Sequence, residues 1–252
     1  MNTIITGRNI VKTFGTGAEQ VKVLDEVNAE IEKGEFVAVM GPSGSGKSTL
    51  LFALSGMDSI TSGTVMFGDN ELSRLSENER ADVRRTRMGF VFQQPTMLKN
   101  LNLLDNIILP AMRDGKKDTA KLTQKAKAMM RKTGIVGLEN RDITEVSGGQ
   151  LQRAGICRAL MNEPKIVFAD EPTGSLNSKS SDEIMALFSK IHQSGTAILL
   201  VTHDAKVAAR AQRVLFMQDG KIVSSLALSE GSSGNFAWKT EKILSEMKGL
   251  NI

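Results

Sequence analysis

Residues 35–49, Glu-Phe-Val-Ala-Val-Met-Gly-Pro-Ser-Gly-Ser-Gly-Lys-Ser-Thr, set a run of apolar residues directly before a glycine-rich turn, and that turn directly before a helix start. A strand that is apolar on both faces belongs inside a sheet covered on both sides, and parallel strands of that kind are joined by helical crossovers. Gly41, Gly44 and Gly46 permit positive φ and bring no side chain into the turn, so backbone N–H groups can converge on an anion. The helix beginning near Lys47 adds its partial positive charge at the same place. This is the GxxxxGK[ST] spacing of a phosphate loop, in which Lys47 reaches the β- and γ-phosphates and Ser48 gives its hydroxyl to Mg²⁺. Ser43, Ser45 and Thr49 complete the set of residues expected to touch a nucleotide.

The rest of the chain is consistent with an α/β fold around that turn. Short β-like runs, including 21–24 and 35–40, dominate through about Phe67. Helical patterns dominate from about Pro95 to Pro164, with 119–133 and 149–161 the clearest. Beyond Lys165 the pattern alternates again: strand 166–169, helix 180–192, strand 197–201, helix 205–211, strand 214–217. The expected organisation is a core of 1–93 and 165–228 interrupted by a helical insertion at about 94–164. Residues 229–234, Ser-Glu-Gly-Ser-Ser-Gly, read as a flexible linker, and a tail follows to residue 252. Phe236, Ile243, Leu244 and Met247 are placed to share one face of a tail helix, packed on the body or against a partner.

Composition excludes several classes. With 40% apolar and 24% charged residues among 252, the chain is neither disordered nor collagen-like. No apolar stretch approaches the roughly 20 residues that span a bilayer, so a membrane role requires a partner. Residues 1–8 lack the pattern of a secretory signal, and the single cysteine, Cys157, cannot form an internal disulfide; both favour the cytoplasm. The net charge of +4 is small for this length, and the basic residues around Arg80–Arg87 are interleaved with acids, as on a solvated helix. Nucleic acid is not an expected partner.

Two further motifs carry chemistry. Ile166-Val167-Phe168-Ala169-Asp170-Glu171 is an apolar strand ending in two carboxylates. If it lies beside the phosphate loop, Asp170 can hold Mg²⁺ and Glu171 can orient or deprotonate the attacking water. Ser147-Gly148-Gly149-Gln150 reads as an N-cap, two glycines open to close approach, and a helix start that offers positive charge to an anion.

Together these three motifs resemble those of ATP-binding-cassette ATPases. The resemblance implies a phosphate-loop NTPase of RecA-like type, with a mostly parallel sheet, an antiparallel β subdomain and a helical insertion subdomain. It implies ATP and Mg²⁺ as ligands, and a homodimer in which Ser147, Gly148, Gly149 and Gln150 of one copy meet the nucleotide held by the other. Gln93 matches the glutamine that joins core to helical subdomain and senses Mg²⁺ and water. His203 matches the switch histidine at the γ-phosphate. Phe14 stands where the family places an aromatic that stacks on adenine, commonly tyrosine; a core phenylalanine is the alternative. Ser175-Leu176-Asn177 occupies the loop that couples the two sites, with Asn177 where aspartate is usual.

Gly89–Gln93, Asn106–Pro110 and Phe168–Gly174 are similar to the bacterial branch containing macrolide exporters, lipoprotein-release machines and bacitracin-type peptide-resistance transporters. That branch implies a peripheral ATPase on the inner face of the cell membrane, driving an integral permease that exports or removes antimicrobial peptides, lipids or drugs. The tail fits the peptide-resistance type. The alternative is a cassette ATPase without transport, regulating a membrane partner in cell division or signalling.

Overall fold

The computed structural model of the chain describes residues 2–112, 118–228 and 236–252. The predicted linker, 229–234, lies outside them. Two sheets and a set of helices organise the chain. A six-stranded sheet has the order β10-β9-β3-β8-β7-β6, formed by β3 (Phe36–Met40), β6 (Met88–Phe92), β7 (Ile166–Asp170), β8 (Ala197–Val201), β9 (Arg213–Gln218) and β10 (Lys221–Ala227). All its neighbours pair in parallel except the β9–β10 hairpin at the edge. The central strands β3 and β8 are buried along their whole length, and period-two geometry sends alternate residues to opposite faces. Val37, Val39, Leu199 and Val201 enter one core, while Phe36, Ala38, Met40, Ile198 and Leu200 enter the other. The edge strand β10 alternates instead between exposed and half-buried positions.

The first core is shared with a four-stranded antiparallel sheet, β2-β1-β4-β5, built from β1 (Thr3–Phe14), β2 (Val21–Glu32), β4 (Ser62–Phe67) and β5 (Asn70–Glu71). Here β2 runs well beyond the expected 21–24, because it alternates charged and apolar residues through Glu32 and is held along its length by β1. Between the sheets lies α1 (Lys47–Leu54), whose Leu50, Leu51, Ala53 and Leu54 are buried. The second core is closed by α6 (Ser178–Gln193) and α7 (Ala205–Ala208). The latter ends short of the expected Ala211, where Ala209 to Gln212 turn directly into β9.

A third, separate cluster joins α3 (Leu103–Met112), α4 (Thr119–Lys132) and α5 (Gly148–Leu160) through Leu103, Ile107, Met130, Ala154 and Cys157. It is preceded by α2 (Glu77–Arg87), which carries a Ser76–Glu79 capping box. The tail helix α8 (Phe236–Gly249) packs back on the second core through Ile243 and Met247, and Ser224 Oγ donates to Glu246 Oε1 at 2.6 Å. The expected four-residue face does not hold. Leu244, one position or about 100° round from Ile243, is 52% exposed, and Phe236 in the first turn lies under the Arg210 guanidinium.

Candidate functional site

The phosphate loop follows β3 at the carboxyl edge of the six-stranded sheet, where ligands of open parallel sheets bind. Gly41 (φ +153) passes against β9, and a Cβ there would stand 2.1 Å from the Met217 carbonyl oxygen. Gly44 (φ +81) faces open space, while Gly46 closes the loop as the left-handed N-cap of α1. Pro42, Ser43 and Gly44 are exposed; Ser45 is buried, and its hydroxyl oxygen has no hydrogen-bond partner among the described residues. Thr49 is half-buried in the first turn of α1.

Lys47 Nζ donates to the carbonyl oxygens of Gly41 (2.9 Å) and Pro42 (2.7 Å), so the ammonium lies across the loop it follows. Burial lowers its proton affinity, and Glu171 and Asp170 oppose that shift. Ser48 Oγ donates to Asp170 Oδ1 at 2.9 Å, which brings the two expected Mg²⁺ ligands together from elements 122 residues apart. Burial is the main cause that raises the Asp170 carboxyl above its ordinary value; the Ser48 hydrogen bond opposes it and the negative charge of Glu171 adds to it. An ionised carboxylate raised in this way gains from a nearby cation, and a hydroxyl plus a carboxylate is the hard-oxygen set that Mg²⁺ prefers. The residues therefore fit the ion.

Glu171 leaves the end of β7 with φ +46, an uncommon backbone for a non-glycine residue. Two hydrogen bonds hold it there, its N–H to Val201 O (3.0 Å) and its carbonyl from Gly174 N (3.0 Å). Its Oε1 accepts from His203 Nδ1 at 2.9 Å, which assigns that proton to Nδ1 and leaves Nε2 on the exposed side chain for a ligand. Gln93, exposed one residue beyond the Phe92–Asp170 strand pair, leans on the same turn: Ser175 Oγ donates to its carbonyl (3.2 Å), and a Cβ on Gly174 would meet its Nε2 at 2.9 Å. Loop, acidic pair, Gln93 and His203 thus converge on one edge.

Ser147 and Gly148 lie exposed at the start of α5, with Gly149 half-buried behind them against Ser180. Ser147 Oγ accepts from Gln150 N (3.3 Å), and Gln150 Oε1 accepts from Ser147 N (2.9 Å). Gln150 is therefore engaged in capping its own helix. Asn177 caps α6 in the same manner, accepting from Ser180 N at 2.9 Å, so amide in place of carboxylate preserves the turn. Phe14 is 46% exposed at the end of β1, which excludes the core reading.

The structural roles of three residues escaped the sequence reading, although Asn106 stood in the motif Asn106–Pro110. Gln152, 1% exposed, donates from Nε2 to the Phe92 carbonyl at 3.0 Å, tying α5 to the strand that delivers Gln93. Asn106, fully buried, uses its amide on the backbone of Leu98, Leu101 and Asn102 and shapes the connection that follows Gln93. Lys12 is buried beside Phe14. The available signal was a polar residue on the apolar period of its element.

A backbone cradle for phosphate after β3, with paired carboxylates at the end of β7 across the intervening β8, defines the class as a nucleoside triphosphatase of the phosphate-loop type. Residues 24–174 match the family described as ABC transporter, and the chain belongs to it as an ATP-binding, ATP-hydrolysing subunit. It is 42% identical over 220 residues to the uncharacterized ABC transporter ATP-binding protein MJ1508 of Methanocaldococcus jannaschii, covering 87% of this chain and 98% of that one. It is 40% identical over 220 residues to the macrolide export ATP-binding/permease protein MacB of Mannheimia succiniciproducens, of whose length the match spans 34%. Among solved structures, the dimeric post-hydrolysis state of the ATP-binding cassette MJ0796, bound to ADP and Pi, superposes with a TM-score of 0.84 at 35% identity, over 90% of this chain and 100% of that one.

Proposed function

We propose that two copies of this chain close around two ATP molecules and drive an integral membrane permease that exports or removes antimicrobial peptides, lipids or drugs. The observation that carries the dimer is the exposed start of α5. Ser147 to Gly149 present an anion-attracting helix end on the surface of a chain whose own phosphate loop is a separate, complete element. A second copy supplies the missing anion. The dimeric MJ0796 cassette, with which this chain shares its fold, supports the same reading.

Within each site, Lys47 and the loop N–H groups hold the β- and γ-phosphates, and Ser48, Asp170 and Gln93 hold Mg²⁺. The ion, when bound, neutralises charge developing on the phosphate oxygens. Glu171, fixed by its strained turn and by His203, orients the water as general base; His203 Nε2 meets the γ-phosphate. The helical part, α3 to α5, moves relative to the 1–93 and 165–228 core, with Gln93 at the joint.

No helix among the described residues is long and apolar enough to cross a membrane, so the permease is another polypeptide segment. MacB is named as an ATP-binding/permease protein, and a match to a third of it supports such a partnership. A cleft of about 400 Å³ between α2, β6, α3 and α5, lined by Met57, Phe90, Leu109, Pro110 and Arg158, has the apolar floor and cationic rim to seat a helix of that permease. The chain would then be cytoplasmic, held at the inner face of the membrane.

Glu171→Gln tests the reading. ATP binding should persist, turnover should fall by about 10²- to 10⁴-fold, and Mg–ATP should trap a dimer detectable by light scattering. A variant with parental turnover, or one that stays monomeric at saturating ATP, would refute it.

A further inference from the structure

Lys12 is a charged side chain on the interior of β1, and it uses its ammonium in three directions. Nζ donates to Asp58 Oδ1 at 2.8 Å and to the Ser59 carbonyl at 2.6 Å, and it stands over the Phe14 ring, 4.7 Å from the centroid. An ammonium has three hydrogens, so two are spent on the turn and one is left for the ring face. Asp58 and Ser59 belong to the turn after α1, the helix whose opposite end forms the phosphate site. The same turn is stitched to β1 on either side of Lys12: Thr61 N donates to Val11 O (2.8 Å), and Thr13 N donates to Thr61 Oγ1 (2.9 Å). The exposed aromatic ring and the phosphate helix are thereby held at one separation.

We propose that Lys12 is a positioning residue for the nucleotide base, fixing Phe14 relative to α1 and occupying one ring face so that the purine stacks on the other. This rests on Phe14 being the base platform. A cation against one face of a benzene ring draws electron density toward itself. The opposite face then offers a less negative surface to an electron-rich purine, compensating in part for the hydroxyl that phenylalanine lacks. The link also gives a physical use to a lysine on the buried side of a strand, where an apolar residue would cost less.

The test compares Mg–ATP with inorganic tripolyphosphate, which has the phosphates and no base, by titration calorimetry on the full chain. Phe14→Ala should weaken ATP by about ten-fold, given what a stacked base is worth, and leave tripolyphosphate unchanged. Lys12→Met should weaken ATP by about five- to ten-fold, again with tripolyphosphate unchanged, and should add nothing to Phe14→Ala in the double variant. Equal losses for both ligands, or a Lys12 effect that persists without the ring, would assign Lys12 to the general fold and overturn the proposal. If Phe14→Ala leaves the ratio of the two affinities unchanged, the base platform itself is overturned. Should Lys12→Met unfold, Lys12→Gln, which keeps a donor for Asp58 and Ser59 but no charge, carries the same comparison.

Discussion

Two glycines three residues apart in the phosphate loop should fail for different reasons when changed to alanine. At Gly41 the added Cβ would lie 2.1 Å from Met217 O and 2.9 Å from Ser45 Oγ, in a backbone conformation at φ +153 that side chains avoid. Met217 belongs to β9, which is hydrogen-bonded to β3 on one side and β10 on the other, so a shift of about 1 Å must disturb close-packed sheet. Strain and overpacking together cost about 3–5 kcal/mol, which for a chain of this size lowers Tm by about 10 °C. At Gly44 the same methyl meets nothing within 4 Å, and only the left-handed backbone is penalised, by about 1–2 kcal/mol. Gly44→Ala should therefore melt within a few degrees of the parent. It should instead lose ATP affinity by about ten- to a hundred-fold, the worth of a backbone hydrogen bond to a charged group blocked by the methyl. Thermal melts followed by circular dichroism, paired with ATP titrations, separate the two. A Gly41→Ala protein as stable as the parent would show that the approach to β9 is not tight. A Gly44→Ala protein with parental affinity would show that phosphate does not come close to that backbone.

Asp170 carries a raised proton affinity, so its ionised form opposes folding: the stabilising contribution is full below the ordinary carboxylate pKa of about 3.9 and is lost as pH rises through the higher folded value. Asp170→Asn should thus raise Tm at pH 7 without Mg–ATP, with the gain vanishing on acidification in parallel melts; a variant less stable at pH 7 would contradict this. Gln152→Met should cost about 1–2 kcal/mol by leaving the Phe92 carbonyl without its donor. It should also flatten the ATP dependence of hydrolysis toward a Hill coefficient of one, while ATP binding to the monomer is unchanged. Cys157, buried and with its thiol pushed up to about 11, should resist an aromatic disulfide reagent at pH 8 until denaturant exposes it; rapid labelling of the native protein would count against the packing of α5 on α4.

Much of the site could be read from residues near one another in the chain. The phosphate loop is local because cradle, helix end, lysine and hydroxyl all come from positions 41–48, and their chemistry depends on spacing. The same holds for the Ser147 cap, whose partner is three residues away, and for the strand that ends in Asp170 and Glu171. Gln152 and Lys12 were not legible in this way. Their partners, Phe92 and Asp58, lie 60 and 46 residues away, and nothing local distinguishes a polar side chain that reaches such a partner from one that faces water. The tail helix fell between: its periodicity was visible, but which residues it buries depended on the surface offered by β10 and α7.

Sequence alone thus determined the class of chemistry and the succession of elements, because short-range spacing specifies both a phosphate cradle and the alternation of strand and helix. Tertiary structure decided which carboxylate meets which hydroxyl, that His203 Nδ1 donates to Glu171 Oε1, and that Phe14 stands exposed over a buried ammonium. Those outcomes depend on sheet order and on contacts between distant residues, where burial and charge act through space and the chain's local pattern carries no record of them.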